Sequence, residues 1–368
     1  MATLPLSYPM SGGDGPHSYV RNSSYQKAAI DSVKEKTKEA ISKILDFHNQ
    51  PFKGEVFRVA DFGCSFGQNT FDVVGNIIQT VELKHKQEKT EEEKIKNPKK
   101  ELEFHVFFND QPNNDFNTLF KTLPLLLSTR RCFAYGVPSS FYGRVLPRNS
   151  IHIGHTSYTL HWLSKAPEDV GDRNSPAWNK DSIQCTSLVG EASNAYRVQF
   201  KRDMADFIEA RAEELVPGGL MIISGQCLPD DVSMVSTWKG VVIDMIGDCL
   251  FDMAKSGVTR EEMVESFNLP IYFPNTSELE EVIEQNGCFR IEIMEEVKHP
   301  MEDETLSNDF IVSKFRAIFH GVIEEHFGGG LIDELFGRFA KKLTSYPVDF
   351  KKCRKDMQYF IVLKRYVF

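Results

Sequence analysis

Residues 59–70 read VADFGCSFGQNT, with two glycines four apart and an aspartate leading them. The residues just before, Glu55, Val56, Phe57, Arg58 and Val59, are mostly extended formers, and Asn69 to Val74 open like a helix. A strand, a tight glycine turn and a helix N-terminus let a nucleotide-like ligand approach backbone N–H groups. Dinucleotide folds prefer G-x-G-x-x-G. Here Gly63 and Gly67 stand in G-x-x-x-G, with Phe66 and Gln68 where small residues would serve a pyrophosphate. A nicotinamide-type oxidoreductase is therefore disfavoured.

The rest of the chain bounds the answer. Its 368 residues suffice for one large domain or a domain with an inserted lobe, and 41% apolar with 26% charged residues is ordinary for a globular protein. A formal net charge of −9 argues against a nucleic-acid partner, which needs a basic excess. Seven dispersed cysteines without a CxxC pair read as free thiols in a reducing compartment. No apolar run reaches the roughly 18 residues of a membrane span, and no secretory signal opens the chain, so a cytoplasmic location is expected.

Strand candidates at Phe104–Phe108, Cys132–Val137, Ser150–His155 and Leu220–Ser224 alternate with helical stretches. One of these, Asp203–Leu215, ends before Pro217-Gly218-Gly219. The helix before the glycine turn covers residues 23 to 45, and the mixed-charge stretch 82–101 reads as a solvated helix end or loop. The fold class expected is α/β, a doubly wound, mainly parallel sheet with an α-helical cap lobe. The α/β domain is expected over 1–227, and the cap over 228–345 with a sheet strand near 288–297. The last strand falls in 346–368. In the cap, Trp238–Ala254 is apolar with few breaks, Ser277 opens a Ser-x-x-Glu capping box, and 305–343 is helical with a break at Gly328–Gly330.

D-x-G-x-x-x-G suits a ligand with no phosphate, such as S-adenosylmethionine, its ammonium oriented by Asp61. Asp110, ending the next strand candidate, has a carboxylate able to accept both ribose hydroxyls, or it caps the Asn-rich turn that follows.

Five stretches then carry a resemblance: MSGGDGPHSYVRNSSYQ (10–26), ADFGCSFGQNT, FNDQPNNDFNTLF (108–120), VPSSFYGRVLP (137–147) and HTSYTLHWLSKAP (155–167). In order and spacing the chain resembles the plant SABATH methyltransferases, which methylate small carboxylic acids or, in one branch, xanthine nitrogens. The resemblance implies a class I Rossmann-like methyltransferase using S-adenosylmethionine. It places Tyr19, Ser23, Asp61, Gly63, Cys64 and Asn69 near the methionine end, Asp110 and Gln111 at the ribose, and Ser140, Phe141 and Ser157 around adenine. Gln111 departs from the leucine common there. On the acceptor side it implies Gln26 and Trp162 as donors to a carboxylate, with Tyr158 and His161 on the same wall. Val242, Ile243 and Phe315 are implied from the cap, fitting an acid with a hydrocarbon body. Ser11 stands where carboxylate-specific relatives often have lysine, which argues for a bulkier or neutral acceptor.

The same resemblance implies a structural Mg²⁺ held by Asn179, Glu265, Phe267 and Asn268, with glutamate where the family usually has aspartate; oxygen ligands suit that ion. It also implies a homodimer. Taken alone, Phe141 and Trp162 read as core, Trp162 within a helix LHWLS, and Asn268 as a helix C-terminal residue.

Overall fold

The computed structural model describes residues 8–47, 55–89, 101–124, 131–185, 190–355 and 357–367. Seven strands form one sheet: β1 (Val56–Phe62), β2 (Glu103–Asp110), β3 (Cys132–Pro138), β4 (Ile151–Ser157), β5 (Leu215–Cys227), β6 (Phe289–Val297) and β7 (Met357–Arg365). Their order is β3-β2-β1-β4-β5-β7-β6. The first five are parallel, while β7 lies antiparallel between β5 and β6. The chain order reverses between β1 and β4, and the carboxyl ends of these strands therefore flank a crevice where α/β ligands bind. β4 is buried on both faces along nearly its whole length, as a strand covered by helices on each side must be.

One face is covered by α2 (Ser24–Ile44) and α3 (Gln68–Glu88), and the other by α5 (Glu191–Glu214) and α8 (Thr276–Asn286). Two short helices complete this part, α1 (Tyr19–Asn22) just ahead of α2 and α4 (Phe116–Lys121) after β2. Of the charged stretch 82–101, the described part at 82–88 simply continues α3 to Glu88. The sequence reading starts α5 at Asp203, yet the helix begins twelve residues earlier, because Tyr196 and Phe200 already bury against the sheet. Pro217-Gly218-Gly219 is no helix-ending loop. It lies inside β5, where the pairing with β4 slips between Ile151 and Ile153, and Gly218 takes φ 79° to make that bulge.

The cap consists of α6 (Trp238–Lys255), α7 (Glu261–Ser266), α9 (Asn308–Phe327) and α10 (Ile332–Ser345), packed around one apolar cluster of its own. The capping box is two residues earlier than read: Asn275 accepts from Glu278 N, and Glu278 returns a carboxylate to the Asn275 amide. The N-terminal segment straps the cap to the sheet domain, since Ser11 N donates to Ala317 O in α9 and Tyr19 N donates to Ser11 O. Gly321 admits this strap; an added Cβ would lie 2.3 Å from Pro9 O. No helix among the described residues is long and apolar enough to cross a membrane.

Candidate active site

The turn after β1 lies where the sequence reading put it. Gly63 takes φ 73° and Gly67 φ 110°, conformations that favour glycine. Their missing side chains leave room for the protein itself: a Cβ on Gly63 would lie 2.1 Å from Thr159 Cγ2, and one on Gly67 would lie 2.9 Å from Val20 Cγ2. The glycines thus let the turn after β4 and the lid helix α1 close onto the turn after β1.

Around this contact the polar groups are held in place. Asp61 is fully engaged, with His155 Nδ1 at 2.7 Å on one oxygen and Thr70 Oγ1 at 2.5 Å on the other. Asp110 accepts from Ser65 N at 2.6 Å and Gln111 N at 2.7 Å. Burial nevertheless pushes its carboxyl up to about 6. Ser23 Oγ accepts from Asn69 Nδ2 at 3.1 Å, joining the start of α2 to the start of α3. Burial, then Asp110 and Asp61, push the Cys64 thiol well up, so it is a neutral contact and no nucleophile. Tyr19 sits over Phe66, and burial and Asp110 raise its phenol. Gln111 turns its Oε1 to the Tyr8 amide at 2.5 Å. Ser157 meets Ser224 across β4 and β5 at 2.9 Å.

Ser140 is half-buried, but Phe141 is only 4% exposed and packs edge-on against Phe207 at 5.9 Å. Its ring belongs to the core beneath the loop. That loop is pinned from below by a buried ion pair: Arg211 Nη1 donates to Phe141 O, while Glu214 Oε1 accepts from Val145 N and Leu146 N.

The residues expected on the acceptor side follow Thr159 in the turn after β4. Tyr158 takes φ 56°, an outlier for a bulky residue. It is held there by Tyr158 N to Ser224 O at 2.9 Å and Tyr158 OH to Gln358 Oε1 at 3.0 Å. The bend means that LHWLS is a turn, not a helix. Trp162 forms a bridge to Ile271 of the cap, and Tyr272 N donates to His161 O. This arrangement points the two aromatic side chains into a cavity of about 70 Å³ that Gln26, Tyr158, Ile243 and Phe315 also line. Val242 does not line it; it is buried in the cap core on the neighbouring face of α6. Gln26 is 8% exposed, and its Oε1 has no hydrogen-bond partner. Leaving a buried amide so costs about 1–3 kcal/mol. His161 stacks on Phe273 at 5.1 Å with Nδ1 unpaired. Burial, then Lys239 and Lys314, push it down to about 3, so its imidazole is neutral.

Those two lysines were missed in the sequence. Lys239 and Lys314 are each only 4% exposed and line the same cavity. The available signal was a lone lysine in each of two otherwise apolar helix faces, VSTWKGVV and IVSKFRAIF.

Of the four residues expected around Mg²⁺, Asn179 and Asn268 meet, but as partners: Asn179 Nδ2 donates to Asn268 Oδ1 at 2.9 Å and to Gln184 O at 2.7 Å. Glu265 forms an ion pair with Arg173, and the Phe267 ring packs on His326 and Phe327. Asn268 Oδ1 is taken by Asn179, while Glu265 Oε2 is buried beside Arg173 without a hydrogen bond. Among the described residues no group of three or more His, Cys, Asp or Glu could hold a metal.

Comparison with known proteins decides the family. The profile of the SAM dependent carboxyl methyltransferases matches residues 6–366. A probable S-adenosylmethionine-dependent methyltransferase of Arabidopsis thaliana is 61% identical over 367 residues, 99% of this chain and 100% of that protein. The chain is a SABATH methyltransferase. Paraxanthine methyltransferase 2, also of Arabidopsis thaliana, is 43% identical to this enzyme over 363 residues, 99% of both chains. A solved loganic acid methyltransferase with SAH is 44% identical, covers 98% of this chain and 99% of its own, and superposes with a TM-score of 0.89. The methyltransferase therefore has the class I Rossmann-like fold with a helical cap, and S-adenosylmethionine is its methyl donor.

Gly63→Ala tests the turn. The left-handed φ alone costs about 1–2 kcal/mol, before the clash with Thr159 is counted. The variant is expected to melt below the wild type and to lose SAH binding by calorimetry. Adding Thr159→Gly should recover the clash but not the φ cost. An unchanged melting temperature in the single variant would contradict this role for Gly63.

Proposed function

We propose that the enzyme methylates a carboxyl oxygen of a small, partly apolar plant carboxylic acid. The observation that carries this reading is the buried, unsatisfied amide of Gln26 facing the same cavity as the Trp162 indole, a pure N–H donor. Amide oxygen and nitrogen exchange places by a simple rotation, so Gln26 can present N–H groups to a carboxylate. Methyl transfer to such an anion needs no base, because a carboxylic acid with a pKa of about 4 is already ionised. This suits a wall whose histidine is neutral.

The bound donor supplies an electrophilic methyl group on a sulfonium. We place its methionine end near Tyr19, Ser23, Asp61, Gly63, Cys64 and Asn69, with Asp61 acting through His155 and Thr70. The ribose falls to Asp110 and Gln111, and the adenine to Ser140 and Ser157, with Phe141 beneath. Gln26 and Trp162 hold the acceptor carboxylate in line, and Tyr158, His161, Ile243 and Phe315 exclude water around it. A carboxylate oxygen bonds the methyl carbon as the carbon–sulfur bond breaks, and its electron pair stays on sulfur. No proton moves. Placement and dehydration carry the rate.

A second reading, N-methylation of a xanthine-like heterocycle, is supported by the 43% identical paraxanthine methyltransferase. Labelled methyl transfer to a panel of plant acids and xanthines separates the two. Methyl esters are expected as products, whereas turnover of xanthines only would overturn the carboxyl assignment. Gln26→Leu and Trp162→Phe each remove one hydrogen bond to an anion, about 1.5–3 kcal/mol. Each is expected to lower kcat/KM about ten- to hundredfold.

We further propose a cytoplasmic homodimer, supported by its free cysteines and by Phe133 and Tyr135, half-exposed on edge strand β3. A Mg²⁺ at Asn179, Glu265, Phe267 and Asn268 would be structural, clamping the cap to the loop before α5. It would require Arg173 to leave Glu265 and Asn179 to turn its oxygen inward. Native mass spectrometry with parallel melting curves reads both proposals. The mass of two chains and a fall in melting temperature with EDTA that Mg²⁺ reverses are expected; a single-chain mass would overturn the dimer, and a melting temperature unaffected by EDTA the ion.

A further inference from the structure

Trp162 sits in a turn, so its indole is only as well placed as its peptide. The backbone groups around it are held by the turn itself and by the cap: Trp162 N donates to Thr159 O at 3.0 Å, Tyr272 N to His161 O at 2.9 Å, and Leu163 N to Pro270 O at 2.8 Å. Among the described residues, Trp162 O accepts from one group, the hydroxyl of Tyr142. Tyr142 stands 20 residues earlier, in the loop between β3 and β4 that also carries Ser140 and Phe141. The bond therefore crosses from one loop of the crevice to another.

The Tyr142 end is fixed as firmly. On its two sides the carbonyls of Phe141 and Gly143 accept from the buried Arg211, at 2.7 Å from Nη1 and 3.0 Å from Nη2. Upstream, Ser139 N donates to Asp110 O at 2.9 Å and ties the loop to the end of β2. The Tyr142 ring leans on that of Phe141, their centroids 4.7 Å apart. Burial, then Asp203 and Tyr359, push the phenol well up, so the hydroxyl keeps its proton and acts as a donor at neutral pH. With its carbonyls clamped, the loop has little freedom inside it. The edge it presents at Ser140 and Phe141 and the hydroxyl it presents to Trp162 shift as one piece.

We infer that Tyr142 is a positioning residue that couples donor to acceptor: adenine seated at Ser140 and Phe141 sets Trp162 for the acceptor carboxylate through the Tyr142–Trp162 hydrogen bond. The inference rests on the adenine and carboxylate placements proposed above, and Tyr142 itself touches neither ligand. Coupling of this kind is reciprocal, so a bound acid tightens the donor by the same factor as the donor tightens the acid. It cannot exceed what the connecting bond is worth, which sets the factor at about two- to tenfold. The acid then prefers the donor-loaded enzyme.

The test reads Trp162 directly. Full-length enzyme labelled with 5-fluorotryptophan gives one fluorine resonance for each of its 3 tryptophans, with W162F assigning that of Trp162. SAH is expected to shift this resonance in the wild type. Y142F keeps the ring and removes only the hydroxyl. It is expected to bind SAH, by calorimetry, within about tenfold of the wild type while the Trp162 shift shrinks. Resonances of Trp178 and Trp238 that match the wild type show that the fold is kept. A Trp162 shift of equal size in Y142F overturns the coupling, because a direct effect of SAH on the indole would survive the substitution. A wild-type resonance that SAH leaves unmoved overturns it too, as does complete loss of SAH binding in Y142F, which would make Tyr142 part of the donor site. Should Y142F fail to fold, R211K keeps the charge beside Glu214, but its single nitrogen cannot span both loop carbonyls. The SAH-induced shift is then expected to shrink in R211K, and an undiminished one overturns the inference. None of these readings uses an acid, so failure to methylate any carboxylate is seen separately and sinks the carboxyl reading alone.

Discussion

Thr159 seated on Gly63 is the contact on which both halves of the site depend. It joins the turn after β1 to the turn after β4, at the point where the strand order reverses. Behind it, Asp61 is fixed by Thr70 and His155, and Asp110 by two backbone amides. In front, the left-handed Tyr158 bends the chain so that His161 and Trp162 face the cap. A side chain at position 63 would separate these two turns. The donor side and the acceptor side would then lose their common reference.

The acceptor cavity is assembled from parts far apart in sequence. Gln26 comes from the start of α2, Trp162 from the turn after β4, Lys239 and Ile243 from α6, and Lys314 and Phe315 from α9. The strap through Ser11, Ala317 and Tyr19 lays Met10 and Tyr19 along the cavity wall. In the proposed reading the neutral donors Gln26 and Trp162 meet the reacting oxygen, and Lys239 and Lys314 line the same cavity. Strain is concentrated at Tyr158, where a bulky residue holds an unfavourable φ that two hydrogen bonds enforce.

Much of this was legible in the sequence, for identifiable reasons. The strands carried runs of β-branched and aromatic residues, and β2, β3 and β4 fall within a residue or two of their expected limits. The glycine turn and Asp110 announced the ligand crevice, and the five motifs named the family. The first half of α5 was hidden because arginine, lysine and glutamine separate Tyr196 from Phe200 and Met204 on its buried face. Asn275 and Ser277 both open an x-x-Glu pattern, and only the fold chooses between them. Phe141 and Val242 sit beside the site in sequence while packing into the core. Lys239 and Lys314 were the opposite case, unremarked in sequence although the fold buries both and brings them to one pair of rings.

The most direct measurement is a crystal structure with SAH. Ribose hydroxyls on the Asp110 carboxylate, and a sulfur that opens toward Gln26 and Trp162, would bear out the division of the crevice around Thr159 and Gly63. SAH lodged elsewhere, or a Trp162 ring turned away from the sulfur, would contradict it.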